Sequence, residues 1–107
     1  MSMNDLDLEA LGKQNKAIRG YIIRSLVKGP QNRLPVKQIS NVLIQMGLIN
    51  SPDISKYLDY LHEAGYIEFA PEKITAYTAY AKDALVKLTR RGVDLVEQTI
   101  DDDGVDI

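Results

Sequence analysis

Glycine and proline cut this chain into short pieces, and that punctuation limits what it can fold into more than any other feature. Gly29-Pro30 ends one helical segment, because proline can neither donate the next backbone bond nor clear the preceding turn. Gly47 and Gly65 follow two further apolar-striped segments, at the positions where a left-handed residue closes a helix. Each piece has room for only a few helical turns. The first runs over about 15–27, with Ile18, Ile22 and Leu26 four apart and Tyr21 and Ser25 closing the stripe. Arg33 to Val36 reads as extended, and a second helix spans about 36–46, started by Pro35 and expected to bury Ile39, Val42, Leu43 and Met46. Ser51-Pro52 reads as N-cap and first residue of a third helix, with Asp53 placed well for the helix dipole. That helix extends to about Ala64 and buries Ile54, Tyr57, Leu58 and Leu61.

Beyond Gly65 the period changes. Tyr66-Ile67-Glu68-Phe69 is rich in strand formers and is closed by Pro71, and Leu85 to Leu88 makes a second short strand. Thr89 can cap a last helix through about Thr99, carrying Val93, Val96 and Ile100 on one face. Between the strands, Ile74 to Tyr80 has two readings. At period two it is a third strand, which its threonines and tyrosines favour. At spacing three, Ile74, Tyr77 and Tyr80 line one side of a helical turn. Ahead of the first helix, Asn4 can cap a short turn carrying Leu6, Leu8 and Leu11, interrupted by Gly12. The chain therefore divides into an extension or short helix over 1–14, one domain over 15–99 and an acidic tail over 100–107. With 107 residues and 45% apolar side chains, it suits a single hydrophobic core.

The formal net charge of −2 conceals a segregation. No acid occurs from Ala10 to Pro52, where Lys13, Lys16, Arg19, Arg24, Lys28, Arg33 and Lys37 lie. From Asp53 onward the acids outnumber the bases, ending in Asp101, Asp102, Asp103 and Asp106. A cationic first half followed by an anionic second half points to a polyanionic partner or a second subunit for the first half. The acidic tail is either solvated or laid against the cationic helices, where it would compete with a polyanion.

Catalytic chemistry finds no footing. Without cysteine there is no thiolate nucleophile or thiolate metal site. His62 is the only histidine and has no partners at ligand spacing, so it reads as a surface or core-edge residue. Asp59 and Glu63 lie one turn apart, but no nucleophile accompanies them. Asp101-Asp102-Asp103-Gly104 lacks the spacing of a calcium loop, and no glycine-rich phosphate loop follows a strand. The expectation is a protein with no catalytic residues, no metal site and no cofactor. The opening residues carry Asp5, Asp7 and Glu9 rather than a basic leader, and no apolar run approaches a bilayer span. Cytoplasmic residence follows as an expectation.

An α+β order of helix, short strand, helix, turn, helix, hairpin, helix resembles the winged helix-turn-helix superfamily, in particular small bacterial regulators of the MarR, ArsR and PadR type. The phrases that carry the resemblance run from Tyr57 through Leu61-His62-Glu63-Ala64-Gly65 to Ile67, and from Leu88-Thr89-Arg90-Arg91-Gly92 to Glu97. In size and acidic tail the chain also resembles small conserved proteins encoded in Mu-like prophages. The resemblance implies a three-helix core, an antiparallel β-hairpin wing and a C-terminal helix. It further implies a homodimeric transcriptional regulator or phage-type accessory protein that binds double-stranded DNA. On that reading Arg33, Lys37, Gln38 and Asn41 dock on the phosphates, Lys56 and Tyr60 reach the groove, and Lys73 and Lys82 act from the wing. Ile18, Ile23, Val93, Val96 and Ile100 are the candidates for the dimer contact. One face departs from a strong duplex reader: around the third helix, Asp53, Asp59 and Glu63 accompany a single Lys56. That favours the alternative, a winged helix protein-interaction module that binds no DNA. Tyr77 and Tyr80 fit a packed hairpin or a dimer face better than base stacking.

Overall fold

The computed structural model describes residues 5–107, with side chains from Asp7 onward. Helix α1 (Asp5–Lys28) is followed by a single 3-10 turn, strand β1 (Arg33–Pro35), α2 (Val36–Gln45), α3 (Ser55–Glu63), β2 (Ile67–Ala70), β3 (Leu85–Leu88) and α4 (Arg90–Val96). The strands form one antiparallel sheet in the order β1-β3-β2. Val86 lies opposite Leu34 on one side and Phe69 on the other. The topology is that of a winged helix-turn-helix domain, with β2 and β3 as the wing and β1 as a third strand beside it.

Burial explains the packing. Ile18, Ile22, Ile23 and Leu26 of α1 meet Val36, Ile39 and Leu43 of α2, Leu58 and Leu61 of α3, and the inner sheet face of Ile67, Phe69, Val86 and Leu88. Removing this apolar surface from water is the main favourable term holding the elements together. Gly47 and Gly65 sit at φ +74 and +85, as the sequence predicts. Each closes a Schellman motif: Leu48 N donates to Leu43 O and Tyr66 N to Leu61 O, both at 3.0 Å.

Several boundaries differ from the sequence expectation. Gly12 does not interrupt α1, because a lone glycine among helix formers costs only about 1 kcal/mol. The cap expected from Asn4 lies outside the described residues. Helix α3 begins at Ser55 rather than at Pro52. The buried Ser40 hydroxyl donates to the Pro52 carbonyl at 2.9 Å, so that carbonyl is not free to start a helix. Asp53 instead folds over the entry, accepting from Ser55 N at 3.0 Å and from the Ser55 hydroxyl. On α2 the buried set is Val36, Ile39, Ser40 and Leu43, whereas Val42 and Met46 turn outward. Helix α4 stops at Val96, not Thr99. Gln98 takes φ +63, and Thr99 N donates to Asp94 O in a third Schellman closure.

The segment between β2 and β3 is neither strand nor helix but a series of tight turns, with Thr78 N bonding to Thr75 O and Asp83 N to Tyr80 O. The spacing of three is present, but Ala76 and Ala79 are the pair that faces inward. Small side chains let the turns lie against the domain, which leaves Tyr77 and Tyr80 outside.

Candidate functional site

The largest departure from an open winged helix surface is made by residues 100–107. They fold back along α1 and bring the acidic tail onto the cationic part of that helix, from Lys16 to Arg24. Asp106 N donates to Lys16 O at 3.1 Å. Arg19 donates to the Gly104 carbonyl at 3.0 Å and Arg24 to the Asp106 carbonyl at 2.8 Å. Val105 is buried beneath them. Two glycines make the approach possible. A Cβ at Gly20 would stand 1.9 Å from Asp106 O, and one at Gly104 would stand 1.9 Å from the Tyr60 hydroxyl. Of the two readings of the tail, the one laid against the cationic helix is observed. The guanidinium groups hold its backbone rather than its carboxylates, and Asp101, Asp103 and Asp106 remain exposed.

Asp102 is the exception. Its Oδ2 accepts from the Tyr66 hydroxyl at 2.6 Å and its Oδ1 from Gly104 N at 2.7 Å. The Tyr66 bond holds this carboxyl below the ordinary aspartate value, helped by Gly104 N and by the charges of Arg91 and Arg19, against the opposing effect of burial. Tyr66 moves the other way. Burial and the Asp102 carboxylate both push its phenol above the ordinary value. Arg91 packs over the Tyr66 ring at 5.2 Å and donates through Nε to the Ala64 carbonyl at 3.0 Å, which satisfies the end of α3.

This closure changes the α3 surface. The Arg19 guanidinium lies 3.7 Å over the Tyr60 ring, with Gly104 against its hydroxyl. Tyr60 is thus held between α1 and the tail. Lys56 is exposed, its ammonium 4.9 Å from the Tyr57 ring. Asp59 and Glu63 line an open cleft of about 460 Å³ with Asn15, Arg19 and Lys56. Within it Asn15 Oδ1 and Arg19 Nε are shielded from solvent without a partner. At the helix entry Ser55 keeps the Asp53 carboxyl below its ordinary value, so a negative charge stands where a major-groove reader would approach the bases. His62 is exposed, with its ring 5.0 Å from Phe69.

The remaining candidates are scattered. Arg33, on β1, is half-buried and donates to Gln31 Oε1. It lies opposite Lys87 on the outer sheet face, and Lys87 pairs with Glu68 at 3.8 Å. Lys37, Gln38 and Asn41 are exposed on α2, with the Lys37 ammonium 5.3 Å from the Tyr80 ring. Lys73 and Lys82 are exposed on the turns of the wing, beside Glu72 and Asp83. Among the dimer candidates, Ile18 and Ile23 are 1% and 0% exposed. The domain's own core takes them up, which corrects their assignment to an intersubunit face. Val93, Val96 and Ile100 are half-buried against the same core.

Arg24 has a second neighbour that the sequence gives no sign of. A groove of about 330 Å³ runs between α1 and α2, walled by Tyr21, Arg24 and Lys28 on one side and by Gln38, Val42 and Met46 on the other, with Leu34 at its base. The outward turn of Val42 and Met46 supplies its apolar wall. Among the described residues no group of three or more histidine, cysteine or acidic side chains is placed to hold a metal ion, and no helix is long and apolar enough to cross a membrane. Comparison with family models, curated proteins and solved structures finds no match for the chain.

Proposed function

We propose that this winged helix domain is a non-enzymatic docking module that works through protein contact rather than by reading duplex DNA. The observation that carries the reading is the state of α3. A recognition helix needs donors toward the bases and cations near the phosphates. Here Asp53 stands at the helix entry, Asp59 and Glu63 outnumber Lys56, and Tyr60 is engaged by Arg19. The hairpin offers no compensating charge, since Glu68, Glu72 and Asp83 match Lys73, Lys82 and Lys87. Open apolar and aromatic surface instead lies on α2 and the wing turns, at Val42, Ile44, Met46, Tyr77 and Tyr80, with Tyr77 67% exposed. Exposed methionine and tyrosine are enriched at protein interfaces relative to the rest of a surface.

Titration of the full chain into a labelled mixed-sequence duplex at low salt tests this reading by fluorescence anisotropy. The expected result is no saturable binding up to about 50 µM protein, a concentration at which non-specific duplex binders saturate, because their dissociation constants of about 1–100 µM at physiological salt fall steeply at low salt. Saturable binding whose salt slope falls on replacing Arg33 and Lys37 by glutamine would overturn it. The regulator reading implied by the family resemblance would then stand on those two side chains.

A further inference from the structure

We propose that the groove between α1 and α2 receives the first turns of α1 from a second copy of the chain, so that two copies exchange arms in a symmetric dimer. The inference rests on the docking reading above and names the occupant of that surface. Helix α1 has 24 residues and a length of about 36 Å, and it outruns the domain. Every side chain from Asp7 to Gln14 is exposed, and the first one buried is Ile18. The projecting turns keep an apolar edge, with Leu8 55% and Leu11 41% exposed, although a solvated helix end needs none. Asp7 and Glu9 flank that edge.

The groove has the complementary character. Val42, Met46 and Leu34 provide apolar contact, Met46 being 47% exposed, and Arg24 and Lys28 stand on the α1 side. No acid lines these walls, and because Arg24 already donates to the Asp106 carbonyl of the tail, Lys28 is the cation that the groove offers. Glu9 has its own surface pair in Lys13 at 3.8 Å, but such an exposed pair is loosely held and does not remove the arm's negative character.

An arm cannot enter its own groove. Leu11 and Tyr21 belong to the same unbroken helix, about 15 Å apart along its axis. A second copy removes the difficulty. With two α1 helices antiparallel, each arm reaches the other's groove and the same patch is used twice, as a two-fold axis requires. Pairing arm against arm would cover Leu8 and Leu11 as well, but it would leave Val42 and Met46 of the groove open to water. Seating the arm in the groove covers both apolar surfaces and brings its acids toward Lys28.

Sedimentation equilibrium of the full chain at about 100 µM and moderate salt tests the proposal, in a range where a standard-sized interface is populated. The wild-type chain is expected to be dimeric. Met46→Glu in the groove and Leu11→Glu on the arm should each weaken association at least tenfold, with circular dichroism unchanged because both positions are exposed. An equimolar mixture of the two variants keeps one intact arm-and-groove contact and should associate more strongly than either alone. Lys28→Glu should weaken the dimer and Lys28→Glu with Glu9→Lys should restore it. A monomeric wild type would overturn the proposal, as would a dimer that survives Met46→Glu. Neither result bears on duplex binding, so this failure is separable from that of the docking reading.

Discussion

The Tyr66 hydroxyl and the Asp102 carboxylate meet at 2.6 Å, joining the residue before β2 to the tail that crosses α1. Their titrations set opposite limits on that contact. Asp102 lies below its ordinary value of 3.8, so its contribution is present above that pH and is lost as pH falls through the lowered value. Tyr66 lies above its ordinary value of 10.0, so its contribution is present below pH 10.0 and is lost as pH rises through the raised value. The protection of the amides of residues 100–107, taken relative to the intrinsic exchange rate at each pH, should therefore be greatest around neutral pH and fall at both extremes. In Asp102→Asn the acid limb should disappear, and Tyr66→Phe should remove the alkaline one.

Replacing Gly20 by alanine has a sign that the tail decides. In an exposed helix interior the change would gain about 1 kcal/mol. Here the added Cβ would fall 1.9 Å from a backbone oxygen that cannot swing aside. The expected outcome is a lower melting temperature by several degrees, an overpacking cost of about 1–3 kcal/mol, and loss of exchange protection in the tail. In a chain ending at residue 99 the same substitution should become neutral or stabilising.

Thr89 both caps α4, accepting from Gly92 N at 3.1 Å, and donates to the Gly65 carbonyl at 2.6 Å. Thr89→Ala should cost about 1–2 kcal/mol in chemical denaturation, and Thr89→Ser should retain most of it. Equal losses in the two variants would show that the methyl group, not the hydroxyl, carries the stabilisation.

Ser40 is the buried polar side chain in the core of the described residues, and its hydroxyl holds the Pro52 carbonyl at 2.9 Å. Ser40→Ala should cost about 1 kcal/mol and speed amide exchange over 51–56, because the loop entering α3 loses its anchor. Unchanged exchange there would mean that Ile54 alone fixes the entry.

The elements could be read wherever side-chain periodicity and helix closure agree. Gly47, Gly65 and Thr89 each stand where local chemistry demands them, and Ile54, Leu58 and Leu61 repeat at helical spacing against one core. The errors share a different cause. Val42 and Met46 continue an apolar stripe, yet the face of α2 that packs against the core carries Ile39 and Leu43 and leaves the others outside. Ser51-Pro52 carries a sound start signal, but a hydroxyl twelve residues earlier takes the carbonyl that would begin the helix. For the functional surface, segregated charge was legible and its resolution in space was only one of two readings. The guanidinium contacts of Arg19 and Arg24 depend on residues more than eighty positions away, beyond any local pattern. Gly20 was the available clue, a glycine inside an otherwise strong helix.

Because Arg19 and Arg24 grip carbonyl oxygens, the clasp on α1 is indifferent to which side chains the tail carries at its exposed positions. Asp101, Asp103 and Asp106 are thus ballast rather than hooks, and they cancel the electric asymmetry that the linear order of charges would impose. Cut loose, the same segment would unmask two arginines and turn an acidic particle into one with a basic pole.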